Sequence, residues 1–400
     1  MRIAIYENLP PGGAKRASFE LGRYLAQRHQ VDLYRLTVTD NRAYDLAPLV
    51  NQVYAYPFAP LGRVLEGRMK GGHYAPRSYT LFGPLRRLHR RIAADVRGRG
   101  YDLVLAHTDA MTQSPYLLRW LKDVQTFYYC QEVLRIRDER VAQQVHRRHL
   151  GESPFPIGTV RVLEDLVVRR RLVAADAANT AAARVILVNS KYSRERVWAA
   201  YGRNALVCYL GVDAERFRPD PTVTRRREVL SIGAPALYKG HDLVIEALSR
   251  VPADRRPALR IVTAGRSEAT SLERLARQRG VTLATEFSLD EAALVDRYRA
   301  AVVTVCAARL EPFGLTALES MACATPVIAI DEAGYRESVR HGITGMLVAP
   351  EPQTIADAIA SMVDQPGRIA TLGRAGRLWI EEQWTWSASG QRLEDILSQR

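Results

Sequence analysis

Residues 302–330 read VVTVCAARLEPFGLTALESMACATPVIAI. Val302-Val303-Thr304-Val305 is a short β-branched run and predicts a buried strand. Pro312 and Gly314 predict a sharp turn, and Leu315, Leu318, Met321 and Ala322 recur at helical spacing behind it. Pro326-Val327-Ile328-Ala329-Ile330 predicts a second strand. Strand, turn, helix and strand in that order are the repeating unit of a parallel α/β sheet.

The same alternation runs outward from this stretch. Upstream it gives strands at 229–232 and 259–262 and helices near 241–250 and 270–279. Before them, Phe217-Arg218-Pro219-Asp220-Pro221 followed by Arg225-Arg226-Arg227 predicts a linker. Alternation resumes on the N-terminal side, with strands at 2–6, 31–34, 103–106, 126–129 and 185–188. Helices are predicted over 14–29, around 80–97 and around 160–182, the last two Arg-rich. Residues 365–400 look helical, with Trp379, Trp384 and Trp386 close together. Ligands of such sheets bind at the carboxyl ends of strands, so the chemistry is sought in the loops that follow them.

Four hundred residues exceed one compact core, and about 150 residues per domain gives two or three domains. With 47% hydrophobic and 25% charged residues, the chain is neither a disordered polymer nor a collagen-like fibre nor a disulfide scaffold. The net charge is +14, and its distribution is uneven. Residues 1–200 carry 32 basic and 18 acidic side chains; residues 201–400 carry 25 of each. Two halves of different electrostatics predict two domains with different partners. Cys130, Cys208, Cys306 and Cys323 form no C-x-x-C pair and sit in or beside apolar runs, as expected for reduced buried thiols in a cytoplasmic protein. The apolar run Ile3-Ala4-Ile5-Tyr6 is too short for a signal peptide, and no run of about 18 apolar residues predicts a membrane span.

A helix beginning near Leu315 or Thr316 aims free backbone N–H groups and a positive dipole end at the loop, which suits a phosphate. Glu311 precedes the turn, and Glu319 lies two turns into the helix. Glu311 can address a reacting group, and Glu319 can accept hydrogen bonds from a pair of hydroxyls. Spacing alone fits two surface glutamates beside an ordinary turn rather better.

The surrounding residues narrow this. EPFGLTALES resembles the Glu-x7-Glu motif of retaining, nucleotide-sugar-dependent glycosyltransferases of the GT-B fold, the group that includes the glycogen synthase and sucrose synthase relatives. The likeness continues through MACATPVIAIDEAGYRESVRHGITGMLVAP at 321–350, which contains the phrase Gly342-Ile343-Thr344-Gly345-Met346-Leu347-Val348. It also resembles that family at VLSIGAPALYKGHDLVIEAL (229–248), Ile261–Gly265, Asn189–Ser193 and Leu210–Asp213. The resemblance implies α/β architecture with two Rossmann-like doubly wound domains facing a cleft. An acceptor domain over 1–208, a linker over 209–228 and a donor domain over 229–377 are expected, with a C-terminal helix at 378–400 crossing back to the first domain.

The resemblance implies a donor site of Lys239, Glu319, Gly233, Gly265, Phe313, Gly314, Leu315 and Thr316, with Lys239 and the helix N-terminus neutralising the donor diphosphate. Glu311 serves the donor sugar, and Glu319 the ribose hydroxyls. The family pairs its Lys with an Arg just after the glycine; here that position is Ala234, so the helix end and one Lys bind the phosphates, or an Arg from elsewhere substitutes. Gly12 and Gly13 resemble the family's N-terminal glycine loop, and His107 is a further candidate on the acceptor side. Gln131 stands where the family often has His and is carried over with Glu311 and Lys239 as a catalytic candidate; Gln donates and accepts hydrogen bonds but cannot titrate, so its role there is not that of an acid or base.

The implied reaction moves a sugar from a nucleotide diphosphate sugar to a glycan, glycolipid or other hydroxyl acceptor, in cell-envelope or polysaccharide biosynthesis. No cofactor is expected beyond the donor itself. No D-x-D occurs, and His146 and His149 lack a third ligand, so no metal is expected. The alternatives are a nucleotide-sugar epimerase of the same architecture and a non-catalytic sugar-nucleotide-binding subunit. The basic half, sharpest at Arg86-Arg87-Leu88-His89-Arg90-Arg91, fits an anionic membrane surface at the inner face, an anionic acceptor, or a solvated face of an Arg-rich chain. No nucleic-acid partner is expected, because aromatics do not interleave with the basic runs.

Overall fold

The computed structural model describes residues 1–58, 82–137, 157–234, 236–263, 265 and 269–399, with backbone alone at 157–165 and 237. The chain divides into two compact units, Met1–Cys208 with Arg392–Arg400, and Tyr209–Gln391.

The first unit is built on a seven-stranded sheet with every pairing parallel. Its strands are β1 (Arg2–Asn8), β2 (Gln30–Leu36), β3 (Gln52–Tyr56), β4 (Leu103–Asp109), β5 (Thr126–Cys130), β6 (Val185–Val188) and β7 (Leu206–Val207), in the order β3-β2-β1-β4-β5-β6-β7. The helices α1 (Gly13–Ala26), α2 (Phe82–Arg97), α3 (Ile157–Ala182) and α4 (Lys191–Tyr201) accompany them. The central strands are apolar along their length because both faces are covered: Ile3, Ala4, Ile5 and Tyr6 are all buried. Ala4, Tyr6, Tyr34, Val104, Ala106, Tyr128 and Cys130 share one face and join Leu85, Ile92, Ala93 and Val96 of α2 in a single core.

The second unit repeats the plan with β8 (Arg226–Ile232), β9 (Ala258–Thr263), β10 (Leu283–Phe287), β11 (Ala301–Cys306), β12 (Val327–Ile330) and β13 (Gly345–Val348), in the parallel order β10-β9-β8-β11-β12-β13. Its helices are α5 (His241–Arg250), α6 (Ala269–Gln278), α7 (Glu291–Ala300), α8 (Leu315–Ala322), α9 (Tyr335–Ser338), α10 (Pro352–Val363) and α11 (Pro366–Gln383). The last helix, α12 (Trp386–Ser398), begins among the residues of this unit and ends among those of the first. The sheet order places the reversal of strand order between β8 and β11, where doubly wound sheets hold their ligands.

Two readings need correction. The arginine run 225–227 is not linker: β8 starts at Arg226, which pairs with Ala301. Half-buried Arg225 donates to the carbonyls of Ala301 and Ala324 and to the Thr325 hydroxyl, at 2.7, 2.8 and 2.7 Å. His89 is not part of the basic surface. It is fully buried; the Leu117 N–H donates to its Nδ1 at 3.3 Å, so its Nε2 donates to the Tyr6 hydroxyl at 3.0 Å. The Tyr6 hydroxyl donates in turn to Asp109 at 2.8 Å. Arg86, Arg87, Arg90 and Arg91 are exposed on the opposite side of α2. The four cysteines are buried and form no disulfide. Among the described residues no helix is long and apolar enough to cross a membrane. His146 and His149 lie outside the described residues.

Candidate functional site

Three loops of the second unit meet at the carboxyl ends of β8, β11 and β12. The loop after β8 carries Gly233, the turn Leu237–Lys239 and Gly240. Gly240 caps α5 at φ 72°, and a Cβ there would overlap the Ala307 carbonyl oxygen in the loop after β11. The backbone N–H of Arg309 donates to the Tyr238 carbonyl at 2.7 Å, which locks the same two loops again. Gly314 caps α8 at φ 90° with the ring of buried Tyr335 against it. The Gly334 N–H donates to the Glu311 carbonyl at 3.0 Å and ties in the loop after β12.

This framework brings Lys239 and Glu311 together. Lys239 Nζ donates to Glu311 Oε2 at 2.7 Å, and both side chains are about one-fifth exposed, at 21% and 17%. The stem of Lys239 lies over Gly233: a Cβ at Gly233 would stand 3.3 Å from its Cγ and Cδ. Gly233 is held by His241, whose Nε2 is 3.4 Å from its carbonyl and whose Nδ1 is 2.9 Å from the Ser231 hydroxyl. Burial pushes the His241 pKa down to about 4, so this brace is neutral at neutral pH. Spacing gave no signal for His241, because it sits inside an apolar helix pattern.

Leu315 and Thr316 open α8, half-buried, at the mouth of the same loop. Their N–H groups belong to the first turn, where helix donors have no carbonyl four residues back. Glu319 lies deeper, 5% exposed, and accepts the hydroxyl of buried Tyr298 at 2.5 Å. Phe313 turns away from the loop. Its ring is buried 5.6 Å from Trp384 and 6.3 Å from Tyr209, so only its backbone faces the site. Ala234 is exposed and Gly265 half-buried. A second ion pair was not anticipated: Arg309 Nη2 stands 2.7 Å from Glu332 Oε1.

The remaining sequence candidates lie in the first unit, in or after β1, β4 and β5, which are neighbours in its sheet: Gly12, Gly13 and Gln131 follow β1 and β5, but His107 is within β4 (Leu103–Asp109), because that strand runs three residues beyond its apolar core. Gly12 and Gly13 open α1 and are exposed, and a Cβ on Gly12 would meet nothing within 4 Å. Beneath them Lys15, fully buried, stands 3.6 Å from Glu7 and donates to Asn41 at 2.5 Å. His107 is fully buried and stacks on Tyr129, ring centroids 5.8 Å apart. Neither of its nitrogens has a hydrogen-bond partner among the described residues. Burial pushes its pKa down to about 3, so it is neutral. Gln131 is 5% exposed; its carbonyl accepts Asn189 Nδ2 at 2.8 Å, and its own Nε2 has no partner among the described residues.

The arrangement in the second unit is therefore a cation and a helix N-terminus beside two carboxylates, one paired with the cation and one held by a tyrosine hydroxyl. Comparison with known proteins identifies the family. Residues 213–379 match the family described as glycosyl transferases group 1. The D-inositol 3-phosphate glycosyltransferase of Thermobispora bispora is 31% identical over 323 residues, covering 75% of this chain and 71% of that one. The GDP-mannose-dependent alpha-(1-6)-phosphatidylinositol monomannoside mannosyltransferase of Mycolicibacterium smegmatis is 31% identical over 65% of this chain and 70% of its own. Among solved structures, a sucrose-phosphate synthase from Thermosynechococcus elongatus superposes with a TM-score of 0.75 at 21% identity, covering 100% of this chain and 98% of that one. The chain belongs to the group 1 glycosyltransferases and has their GT-B fold.

Proposed function

We propose that this chain transfers a sugar, with retention, from a nucleoside diphosphate sugar to a hydroxyl of a phosphate-bearing glycan or lipid acceptor in cell-envelope biosynthesis. The Lys239–Glu311 pair beside the N-terminus of α8 carries the reading. A diphosphate leaving group needs its developing charge neutralised, and a Lys with a helix end does that without a bound metal. Glu311 takes hydroxyls of the donor sugar and offsets positive charge at the anomeric carbon. Glu319, fixed by Tyr298, takes the ribose hydroxyls.

The acceptor hydroxyl attacks on the face that the diphosphate leaves. The bond from anomeric carbon to phosphate oxygen breaks, the bond to the acceptor oxygen forms, and a leaving phosphate oxygen takes the acceptor proton. No separate base is required, which accommodates Gln131 where a titrating group is common. Acceptor binding is assigned to the first unit, with Gly12, Gly13, His107 and Gln131. An anionic acceptor fits the basic charge of residues 1–200, and two relatives are named for phosphorylated inositol acceptors.

In a donor-binding assay Lys239→Ala and Glu319→Ala each weaken the nucleotide, and Glu311→Ala abolishes transfer with less effect on binding. Unchanged donor affinity in both binding variants refutes the assignment. Retention is read from the anomeric configuration of the product by NMR, and metal independence from full activity in EDTA. The exposed arginines of α2 extend the proposal to peripheral attachment at an anionic inner membrane face. Flotation with anionic vesicles that survives replacement of all four by Ser argues against it.

A further inference from the structure

The Arg309–Glu332 pair has no role in the reading above. Arg309 is remote from Lys239 in sequence, yet its backbone N–H is bonded to the carbonyl of Tyr238, the residue before Lys239. Its guanidinium is 38% exposed and meets Glu332 at 2.7 Å. The other carboxylate oxygen of Glu332 is buried and has no hydrogen-bond partner among the described residues. Burying a charged acceptor without a partner is costly, so this pair leaves Glu332 poorly satisfied. Leu310, between Arg309 and Glu311 in the loop after β11, adopts φ 54°, a left-handed conformation that a non-glycine residue holds only under constraint.

We propose that Arg309 is the second cation of the donor phosphate site. This rests on the donor reading above. Without donor, Glu332 occupies its guanidinium as Glu311 occupies Lys239. With donor, a diphosphate oxygen replaces Glu332, whose carboxylate turns to water. A diphosphate carries more than one negative charge, and Lys239 with a helix end of about half a charge leaves an excess. A guanidinium answers it with a fork of donors that matches phosphate oxygens. Glu332 gains solvation for its unpartnered oxygen by the exchange.

The test titrates the full chain with UDP, GDP and ADP and with the matching monophosphates. Arg309→Ala weakens the preferred diphosphate by about ten- to thirtyfold and the monophosphate by less than about twofold. Glu332→Gln removes the competitor and tightens the diphosphate several-fold. Diphosphate affinity within about twofold of wild type in Arg309→Ala overturns the proposal, as does an equal loss of diphosphate and monophosphate, which marks a structural role. Should Arg309→Ala fail to fold, Glu332→Gln decides: unchanged or weakened diphosphate binding overturns it. Loss in Lys239→Ala without loss in Arg309→Ala sinks this inference alone. A wild-type chain that binds none of the three diphosphates sinks the donor reading with it.

Discussion

Replacing Gly314 by Ala tests the geometry on which the site depends. Gly314 sits at φ 90°, and an added Cβ would stand 2.5 Å from Cε1 and 2.7 Å from Cδ1 of Tyr335. Two costs follow. The left-handed backbone costs an L side chain about 1–2 kcal/mol. The overlap adds about 1–3 kcal/mol, because Tyr335 is 2% exposed and its ring has no open space to enter. A total of about 3 kcal/mol lowers the melting midpoint by about 6–12 °C. Gly342→Ala separates the terms: Gly342 has φ 73°, and its Cβ would meet nothing within 4 Å, so it bears the backbone cost alone. Both variants are unfolded by heat and by urea beside wild type, with donor affinity measured on the folded fraction. Gly314→Ala should fall further than Gly342→Ala by about 2 kcal/mol and should also lose donor affinity, since the cap of α8 must shift. Equal destabilisation of the two variants refutes the close approach to Tyr335, and with it the fixed position of the helix end.

Other consequences are as direct. Arg225→Ala removes hydrogen bonds from three main-chain carbonyls and a hydroxyl, and should cost about 2–4 kcal/mol in urea unfolding; a loss under about 0.5 kcal/mol would return Arg225 to the linker. Burial depresses the pKa of His89 and His241 to about 4 and of His107 to about 3. The unfolded chain therefore binds more protons below about pH 6.5, and stability should fall as pH drops from there towards pH 4; a flat profile across that window in urea titrations contradicts it. His107→Phe keeps a ring against Tyr129 and removes two unpartnered nitrogens, so it should leave stability equal or higher at pH 7 and flatten the acid limb. If His107 serves the acceptor, the same variant loses transfer activity, and a variant both stable and fully active removes His107 from the site.

The strands at the centre of each sheet were legible because both of their faces are covered. Val303, Val327, Ile328 and Ile330 have no solvent side, so they show as short β-branched runs. The edge strands β3 and β10 have half-exposed positions and mixed composition, and periodicity passed over them. Arg225 and His89 were misplaced for a related reason. A charged or titratable residue in a basic run looks solvated, and only tertiary contacts reveal a guanidinium satisfied by carbonyls or an imidazole inside a core. In the site, Glu311, Glu319 and Lys239 were picked out by their resemblance to a family motif, which spacing alone would not have done. Their partners were not: Arg309, Glu332, His241 and Tyr298 come from four separate loops and helices, and no local pattern links them.

The two glutamates of the motif differ in what holds them, and that difference separates their chemistry. Glu319 accepts a phenol whose pKa burial drives well above its ordinary value, so Tyr298 remains a donor at every physiological pH. A carboxylate held by a neutral, buried donor keeps its position when charge changes nearby, which suits recognition of fixed hydroxyls. Glu311 faces a flexible ammonium at the partly exposed mouth of the loop. In a pair so largely buried, desolvation offsets much of the mutual attraction. On the proposed donor reading, an incoming anion takes Lys239 and releases Glu311 towards the donor sugar. The cost of assembling the site is borne beforehand by the interlocked backbone around Gly240, Gly314 and Gly334. On the same proposal, catalysis draws on a backbone framework and charge arrangement already in place.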